Sequence, residues 1–242
     1  MNLIVDVGNT LFKLAVFEAD RILHKKVCNK FDFLAVLDQV SENFPALSKC
    51  IVSSVGNFTE SQLSKLEALS PVTILTHETS VPFTNLYRTP QSLGVDRIAL
   101  VSSAAIQYQS QNVLIIDAGS CITYDFINDA NEYLGGAISP GLAMRYKALN
   151  DFTAKLPLLE ADYPKDLIGD TTITSMHSGV VLGISNEIDG FISSYKSNYT
   201  DLTIILTGGD AHFLRDSLKS HIFANSNFLL EGLNYILEHN KD

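Results

Sequence analysis

Two short segments hold the residue types that handle a metal-bound phosphate. Asp6-Val7-Gly8-Asn9-Thr10 follows the apolar run Leu3-Ile4-Val5, and Asp117-Ala118-Gly119-Ser120 follows Leu114-Ile115-Ile116. In each, a carboxylate stands at the end of a strand-like run, and a glycine two residues on allows a sharp turn and lets an anion approach the main chain. Asn9 and Thr10 add side-chain hydrogen-bonding groups, and Lys13 adds positive charge. A carboxylate facing a phosphate alone would repel it, so this reading requires magnesium, or a magnesium-bound water, between Asp6 and the phosphate. The other reading is a plain hairpin turn, with Asn-Thr chosen for its geometry. The second copy favours the phosphate reading. The two segments align without a gap at an offset of 111 residues, implying two related halves with a cleft for a polyphosphate.

A third constellation is Tyr87-Arg88-Thr89-Pro90-Gln91-Ser92-Leu93-Gly94-Val95-Asp96-Arg97. Pro90 stops a helix from running through, and Ser92 is a candidate cap for the next one. Asp96 and Arg97 then fall in that helix's first turns, where the helix dipole favours an acid. They read either as a solvated ion pair at a helix start, or as a general base with an arginine for an anionic substrate. A planar guanidinium suits a carboxylate because it engages both oxygens.

The elements that must position these residues follow a repeated order. Residues 2–7, 11–17 and 21–28 read as three strands joined by tight turns. A helix over 31–43 places Phe31, Leu34, Val36, Leu37 and Val40 near one face. Strands at 49–53 and 72–76 flank a helix at 59–69, and a helix runs from Ser92 to Tyr108. The pattern restarts with strands near 113–117, 121–127 and 132–138, a helix after Pro140, and one from Thr171 to Tyr195, where Gly179 and Gly183 permit close packing and Met176 belongs to the core. A strand at 202–206 ends in Thr207-Gly208-Gly209, and a last helix at 228–238 takes Asn227 as N-cap. Gly135-Gly136-Ala137-Ile138-Ser139-Pro140-Gly141 is a strand end and turn that also admits close backbone approach to a ligand. Thr207-Gly208-Gly209 suits an adenosine or phosphate neighbour, or is an ordinary strand-to-helix turn. Three antiparallel strands followed by alternating helices and strands imply a mixed sheet with helices on its faces. The boundary between halves falls at Gln109-Ser110-Gln111-Asn112, giving domains 1–110 and 111–242.

Composition excludes several classes. The chain has 242 residues, enough for one large or two small domains; 46% are hydrophobic and 18% charged, as in a soluble globular protein. No apolar run reaches the roughly 18–20 residues that span a bilayer. The N-terminus lacks a basic region and Asp6 interrupts its apolar stretch, so no signal peptide is expected. A net charge of −10 without a basic tract disfavours nucleic acid. Cys28, Cys50 and Cys121 form neither a disulfide framework nor a zinc motif, and Cys121 reads as a small buried strand residue. The six histidines show no metal-ligand spacing. A cytoplasmic location is expected.

Taken together, the motifs resemble those of type III pantothenate kinases. The matches are Asp6-Val7-Gly8-Asn9-Thr10; Tyr87 and Pro90 before Gly94-Val95-Asp96-Arg97; Asp117-Ala118-Gly119-Ser120; Gly135 to Gly141; Gly169-Asp170-Thr171-Thr172 leading into Ser178-Gly179; and Thr207-Gly208-Gly209-Asp210. They follow the family's order over nearly the whole chain. The resemblance implies two duplicated ribonuclease-H-like domains of the actin, hexokinase and acetate-kinase superfamily, each a mixed five-stranded sheet with helices on both faces. It implies ATP-dependent phosphorylation of the primary hydroxyl of pantothenate, the first step of coenzyme A synthesis.

By position, Asp6, Val7, Gly8, Asn9, Thr10, Leu11, Phe12 and Lys13 would hold the ATP phosphates, with magnesium on Asp6. Asp96 would be the catalytic base. Tyr87, Gly94, Val95, Asp96, Arg97 and Thr172 would bind pantothenate, with Arg97 meeting its carboxylate. Asp117 would ligate potassium or ammonium, and Ser120 would contact ATP. The family commonly has Thr-Ala where this chain has Ser120-Cys121, and serine keeps the hydroxyl. A homodimer is implied as well. Two other functions compete: a kinase for another small hydroxy acid, and a non-catalytic regulatory factor. Intact Asp96 and both Asp-x-Gly turns argue against the latter.

Overall fold

A computed structural model describes residues 1–56 and 58–241. By internal contacts the chain divides into two units. The first comprises Met1–Gln109, Asn131–Tyr133 and Asn227–Asp242, and the second Ser110–Ala130 and Leu134–Ser226. The sequence placed the last helix in the second half; it groups with the first.

The first unit is built on a five-stranded sheet of order β3-β2-β1-β4-β5. The strands are β1 (Asn2–Val7), β2 (Phe12–Glu18), β3 (Arg21–Cys28), β4 (Lys49–Ser54) and β5 (Val72–Ile74). β1–β2 and β2–β3 are antiparallel, whereas β1–β4 and β4–β5 are parallel. β1 is buried along its whole length, which explains its unbroken apolar run. On one face, Leu3, Val5, Val7, Leu14 and Val16 pack against α1 (Phe33–Asn43) and α2 (Glu60–Glu67). On the other lie α3 (Val95–Gln107) and α8 (Phe228–His239), both touching β4. Thr59 and Gln62 form a capping box that starts α2.

The second unit repeats the order as β11-β10-β7-β8-β9. These are β7 (Val113–Ala118), β8 (Cys121–Ile127), β9 (Glu132–Pro140), β10 (Thr203–Thr207) and β11 (Phe223–Ala224). A sixth strand, β6 (Thr84–Asn85), pairs with Glu132 and Tyr133 at the start of β9, residues that group with the first unit. Leu114, Ile116, Tyr124, Ile204 and Leu206 pack against α4 (Leu142–Asp151), α5 (Thr172–His177), α6 (Gly183–Asn198) and α7 (Ala211–Arg215). Met176 is buried among them, as expected.

Several local expectations are corrected. α1 begins at Phe33, whose ring enters the core; Phe31 is 83% exposed and Leu34 is exposed as well, so the buried face is Phe33, Leu37 and Val40. The 92–108 helix divides into a 3-10 turn, Pro90–Ser92, and α3. Ser92 does not cap α3: its hydroxyl donates to Thr89 O at 2.9 Å, and Gly94 occupies the cap position with no side chain. Asn227 stands at the N-cap of α8, but its side chain makes no cap bond and accepts from Lys25 Nζ at 2.6 Å. The helix expected from Thr171 to Tyr195 is α5, a π turn at Ser178–Leu182, and α6. A methyl added at Gly179 or Gly183 would meet no atom within 4 Å, so neither glycine serves close packing within the chain.

The two hairpins also break the gap-free alignment. Asp6 faces Lys13 and Val7 faces Phe12, whereas Asp117 faces Thr123 and Ala118 faces Ile122. The second turn is therefore one residue shorter, and the 111-residue offset ends there.

α8 seats closely on α3 at Gly232, where an added Cβ would overlap the Ala99 carbonyl. Overpacking of this kind costs about 1–3 kcal/mol. Gly232→Ala is expected to lower the thermal unfolding midpoint by several degrees, as read by calorimetry. A midpoint within one degree of the parent would contradict the close seating.

Candidate functional site

In the first unit the site grows from the common end of three strands. β1 delivers Asp6 and Val7, the Gly8 N–H donates to Leu11 O at 3.1 Å to close the turn, and β2 begins at Phe12. Val7 and Phe12 are buried, Phe12 against Phe33, so at these positions only main-chain groups are available to a ligand. Asn9, Thr10 and Leu11 are exposed. Beyond β4, Val55 N and Gly56 N both donate to Val7 O, at 3.1 and 3.2 Å. A Cβ at Gly56 would stand 2.6 Å from Gly8 O. The Ser53–Gly56 segment thus buttresses the turn. Sequence reading missed it, although Ser-Ser-Val-Gly at the end of an apolar strand was a usable signal.

Asp6 is only 4% exposed and pairs with Lys13 Nζ at 3.3 Å, directly across the hairpin. Burial pushes its carboxyl above the ordinary value of 3.8; Lys13 pulls it down, and the charge of Asp96 pushes it up again. Desolvation wins because the anion has been taken out of water while Lys13 remains a third exposed. The charge of Asp96 therefore reaches Asp6.

Asp96 sits in the first turn of α3 and accepts the N–H of Arg97 at 2.9 Å. Gly94 is needed beside it, since a Cβ there would overlap Asp96 Oδ1. Val95 is half-buried. Arg97 is 5% exposed, which corrects the solvated ion-pair alternative. Its guanidinium lies 5.6 Å from the Tyr87 ring centroid, and Tyr87 stacks on Tyr133 at 6.0 Å. Tyr133 gave no signal in the sequence, because its place beside Tyr87 comes from the β6–β9 pairing.

In the second unit lie Asp117, Ser120 and Thr172. Asp117 ends β7 half-buried and Ser120 is exposed in the turn, which the Gly119 N–H closes on Cys121 O at 3.0 Å. Cys121 is half-buried at the start of β8. Two more loops press on this turn. Gly141 N donates to Ser120 O at 3.2 Å, and Asp210 N donates to Ala118 O at 2.9 Å. Gly208 has φ +99°, and a Cβ there would overlap both Ala118 O and Asp117 Oδ1. Only glycine meets both demands. Burial also pushes the Asp210 carboxyl up. Thr172 opens α5, exposed, on the wall of a cavity of about 1180 Å³ that is also lined by Arg145, Phe152, Met176 and Gly179. Asp117 and Ser120 are not among its lining residues.

For a metal, no cluster of three or more His, Cys, Asp or Glu side chains occurs among the described residues. Magnesium that arrives with ATP needs only one or two carboxylates, its remaining ligands being phosphate oxygens and water. A single desolvated Asp6 fits that demand.

Because the folded-state pKa of Asp6 is raised, its contribution to stability is fully present below 3.8 and is lost as pH rises through the folded value. Asp6→Asn is therefore expected to raise the unfolding midpoint by a few degrees at pH 7 and by less at pH 4. Thermal shift at both pH values checks this; a lower midpoint at pH 7 would refute it.

The family model described as type III pantothenate kinase matches residues 2–194. The chain is 50% identical over 242 residues to the type III pantothenate kinase of Flavobacterium johnsoniae, covering 100% of this chain and 99% of that one. Among solved structures, a Campylobacter jejuni protein described as a Baf family transcriptional activator superposes with a TM-score of 0.65 at 23% identity, covering 98% of each chain. A glucokinase from an Antarctic psychrotroph superposes with a TM-score of 0.53 at 12% identity, covering 99% of each. At these identities the structures carry the fold alone.

Proposed function

The chain belongs to the type III pantothenate kinase family, and on that premise we propose how its own residues perform the reaction. The protein transfers the γ-phosphoryl group of ATP to the primary hydroxyl of pantothenate, the first step of coenzyme A biosynthesis. Such a transfer is achieved mainly by positioning and charge stabilisation.

Asp96 is the catalytic base. It orients the hydroxyl and accepts its proton as the new P–O bond forms. The observation that carries this assignment is the Asp96 carboxylate at the start of α3, with Gly94 cleared beside it and Asp6 within electrostatic reach. Residues 6–13 cradle the phosphates through main-chain N–H groups, Asn9, Thr10 and Lys13, and Asp6 holds magnesium directly or through water. Magnesium, when bound, neutralises phosphate charge. Lys13 then has two anions in reach, Asp6 and a phosphate.

Gly94, Val95, Arg97, Tyr87 and Thr172 bind pantothenate, with Arg97 on its carboxylate. The stack of Arg97 on Tyr87 and of Tyr87 on Tyr133 fixes the guanidinium plane for that fork. Ser120 contacts ATP, and Asp117 holds potassium or ammonium. The working form is a homodimer, a reading supported by exposed Phe152, Ile168 and Ile173 and by Gly179 and Gly183, which face open space. Among the described residues no helix is long and apolar enough to cross a membrane.

Asp96→Asn is expected to reduce turnover by at least about a hundredfold, the usual scale of a positioned base, with the unfolding midpoint and the dimer mass by light scattering unchanged. A coupled assay with ATP, magnesium, potassium and pantothenate, with the product weighed by mass spectrometry, reads it. Near-normal turnover would remove Asp96 from the mechanism. Activity is also expected to fall at least tenfold when potassium is replaced by sodium after exhaustive dialysis. Full activity in sodium would count against a cation at Asp117.

A further inference from the structure

A polar cluster outside the residues assigned above lies in the second unit, around Arg145 of α4 and Glu187 of α6. Arg145 Nη2 meets Glu187 Oε2 at 2.6 Å and also donates to Ser139 Oγ at 2.9 Å. Its Nε donates to Pro140 O at 2.9 Å. The other oxygen of Glu187 accepts the Tyr124 hydroxyl at 3.0 Å, and Tyr124 is fully buried. Both charged side chains are more than three-quarters buried. Although burial alone would raise the Glu187 carboxyl, hydrogen bonds from Arg145 and Ser139, the charge of Arg145 and the Tyr124 hydroxyl hold it below the usual carboxylate range.

Arg145 therefore grips Ser139 and Pro140 from the helix that follows them, and Glu187 and Tyr124 hold its guanidinium in place. The next residue, Gly141, lies against the Asp117–Ser120 turn: its N–H donates to Ser120 O, and a Cβ on it would overlap the carbonyls of Gly119 and Ser120. A shift of this strand end would move the turn with it.

We propose that Arg145 and Glu187 are positioning residues, which clamp Ser139–Gly141 so that the Asp117–Ser120 turn is held in the geometry that receives ATP. The inference rests on the assignment of Ser120 to ATP. Neither residue touches the reacting atoms, so their loss should appear in nucleotide affinity; Arg145 also lines the Thr172 cavity, of which Glu187 is not a lining residue, so Glu187→Gln is the variant that isolates the nucleotide effect.

The test uses Glu187→Gln, Arg145→Lys and Ser139→Ala in the full-length chain, with MgATP binding measured by calorimetry without pantothenate, followed by steady-state kinetics. Glu187→Gln and Arg145→Lys are expected to weaken MgATP binding and raise its KM about tenfold, and in Glu187→Gln the KM for pantothenate is expected within twofold of the parent. Arg145→Lys keeps a cation opposite Glu187 and loses the two-pronged grip on Ser139 and Pro140. Its unfolding midpoint should therefore stay near the parent while ATP affinity stays low. Should Glu187→Gln fail to fold, Ser139→Ala removes one link without removing charge, and about a threefold loss of ATP affinity is expected. ATP affinity within twofold of the parent in the folded variants, or affinity that merely follows the midpoint, overturns the clamp. A parent chain that binds MgATP without phosphorylating pantothenate would fault the kinase assignment and leave the clamp test standing.

Discussion

The arrangement depends on a carboxylate kept out of water at the end of a central strand. β1 is covered on both faces, by α1 and α2 on one side and by α8 on the other. Its last residues therefore leave the core while still in a low-dielectric setting. Asp6 stands there with a nearly inaccessible side chain, and a buried anion strengthens its field on every neighbour. Lys13 answers it from the facing strand, yet burial still outweighs that partner. Asp96 adds a second negative charge nearby. On Asp6 itself one lysine and a second carboxylate act, a setting in which a polyphosphate arriving with its own divalent cation relieves repulsion instead of adding to it.

Each sheet solves the same mechanical problem in the same place. The strand beside the Asp-x-Gly hairpin, β4 in the first unit and β10 in the second, ends in a segment whose glycine crowds the turn's own carbonyls: Gly56 against Gly8 O, and Gly208 against Ala118 O. The duplication thus extends beyond the strand order to the way each turn is buttressed. The chemistry diverges at one residue of register. With the longer first turn, Lys13 lies across from Asp6; with the shorter second turn, Thr123 lies across from Asp117. Lys13 forms an ion pair with Asp6 across its hairpin, whereas the Thr123 hydroxyl donates to Asp125 Oδ2 at 3.0 Å.

What could be seen in the sequence was local. Leu3-Ile4-Val5-Asp6 and Leu114-Ile115-Ile116-Asp117 show their strands, their turns and their repetition, because alternation and glycine placement are properties of neighbouring residues. Pro90 and Gly94 likewise bracket the start of α3, although the cap turned out to be Gly94 and not Ser92. The face of α1 was misjudged because Phe31 precedes the helix and cannot share its period. Whatever depends on distant pairing stayed hidden. Tyr133 reaches Tyr87 only through a two-residue strand, Arg145 and Glu187 meet across 42 positions, and the buttress at Gly56 is visible only once β4 lies beside β1. The one-residue difference between the hairpins is equally invisible without the register.

The return of α8 has a consequence for how the protein is made. α3 buries nearly its whole middle, from Arg97 to Ala105, and its main contact is with α8. α8 also holds β1 through Asn234, which accepts a hydrogen bond from Asn2 and donates to Ala19 O. At roughly 5–20 residues per second, a ribosome completes the strands of the first unit many seconds before it delivers Phe228. Throughout that interval the α3 side of the first sheet has no α8 to cover it. The unit that carries Asp6 and Asp96 begins first and closes last, only after the intervening chain has been synthesised. Completion of this unit is thereby tied to the arrival of α8, and a chain terminated before Phe228 would lack the helix that packs on α3.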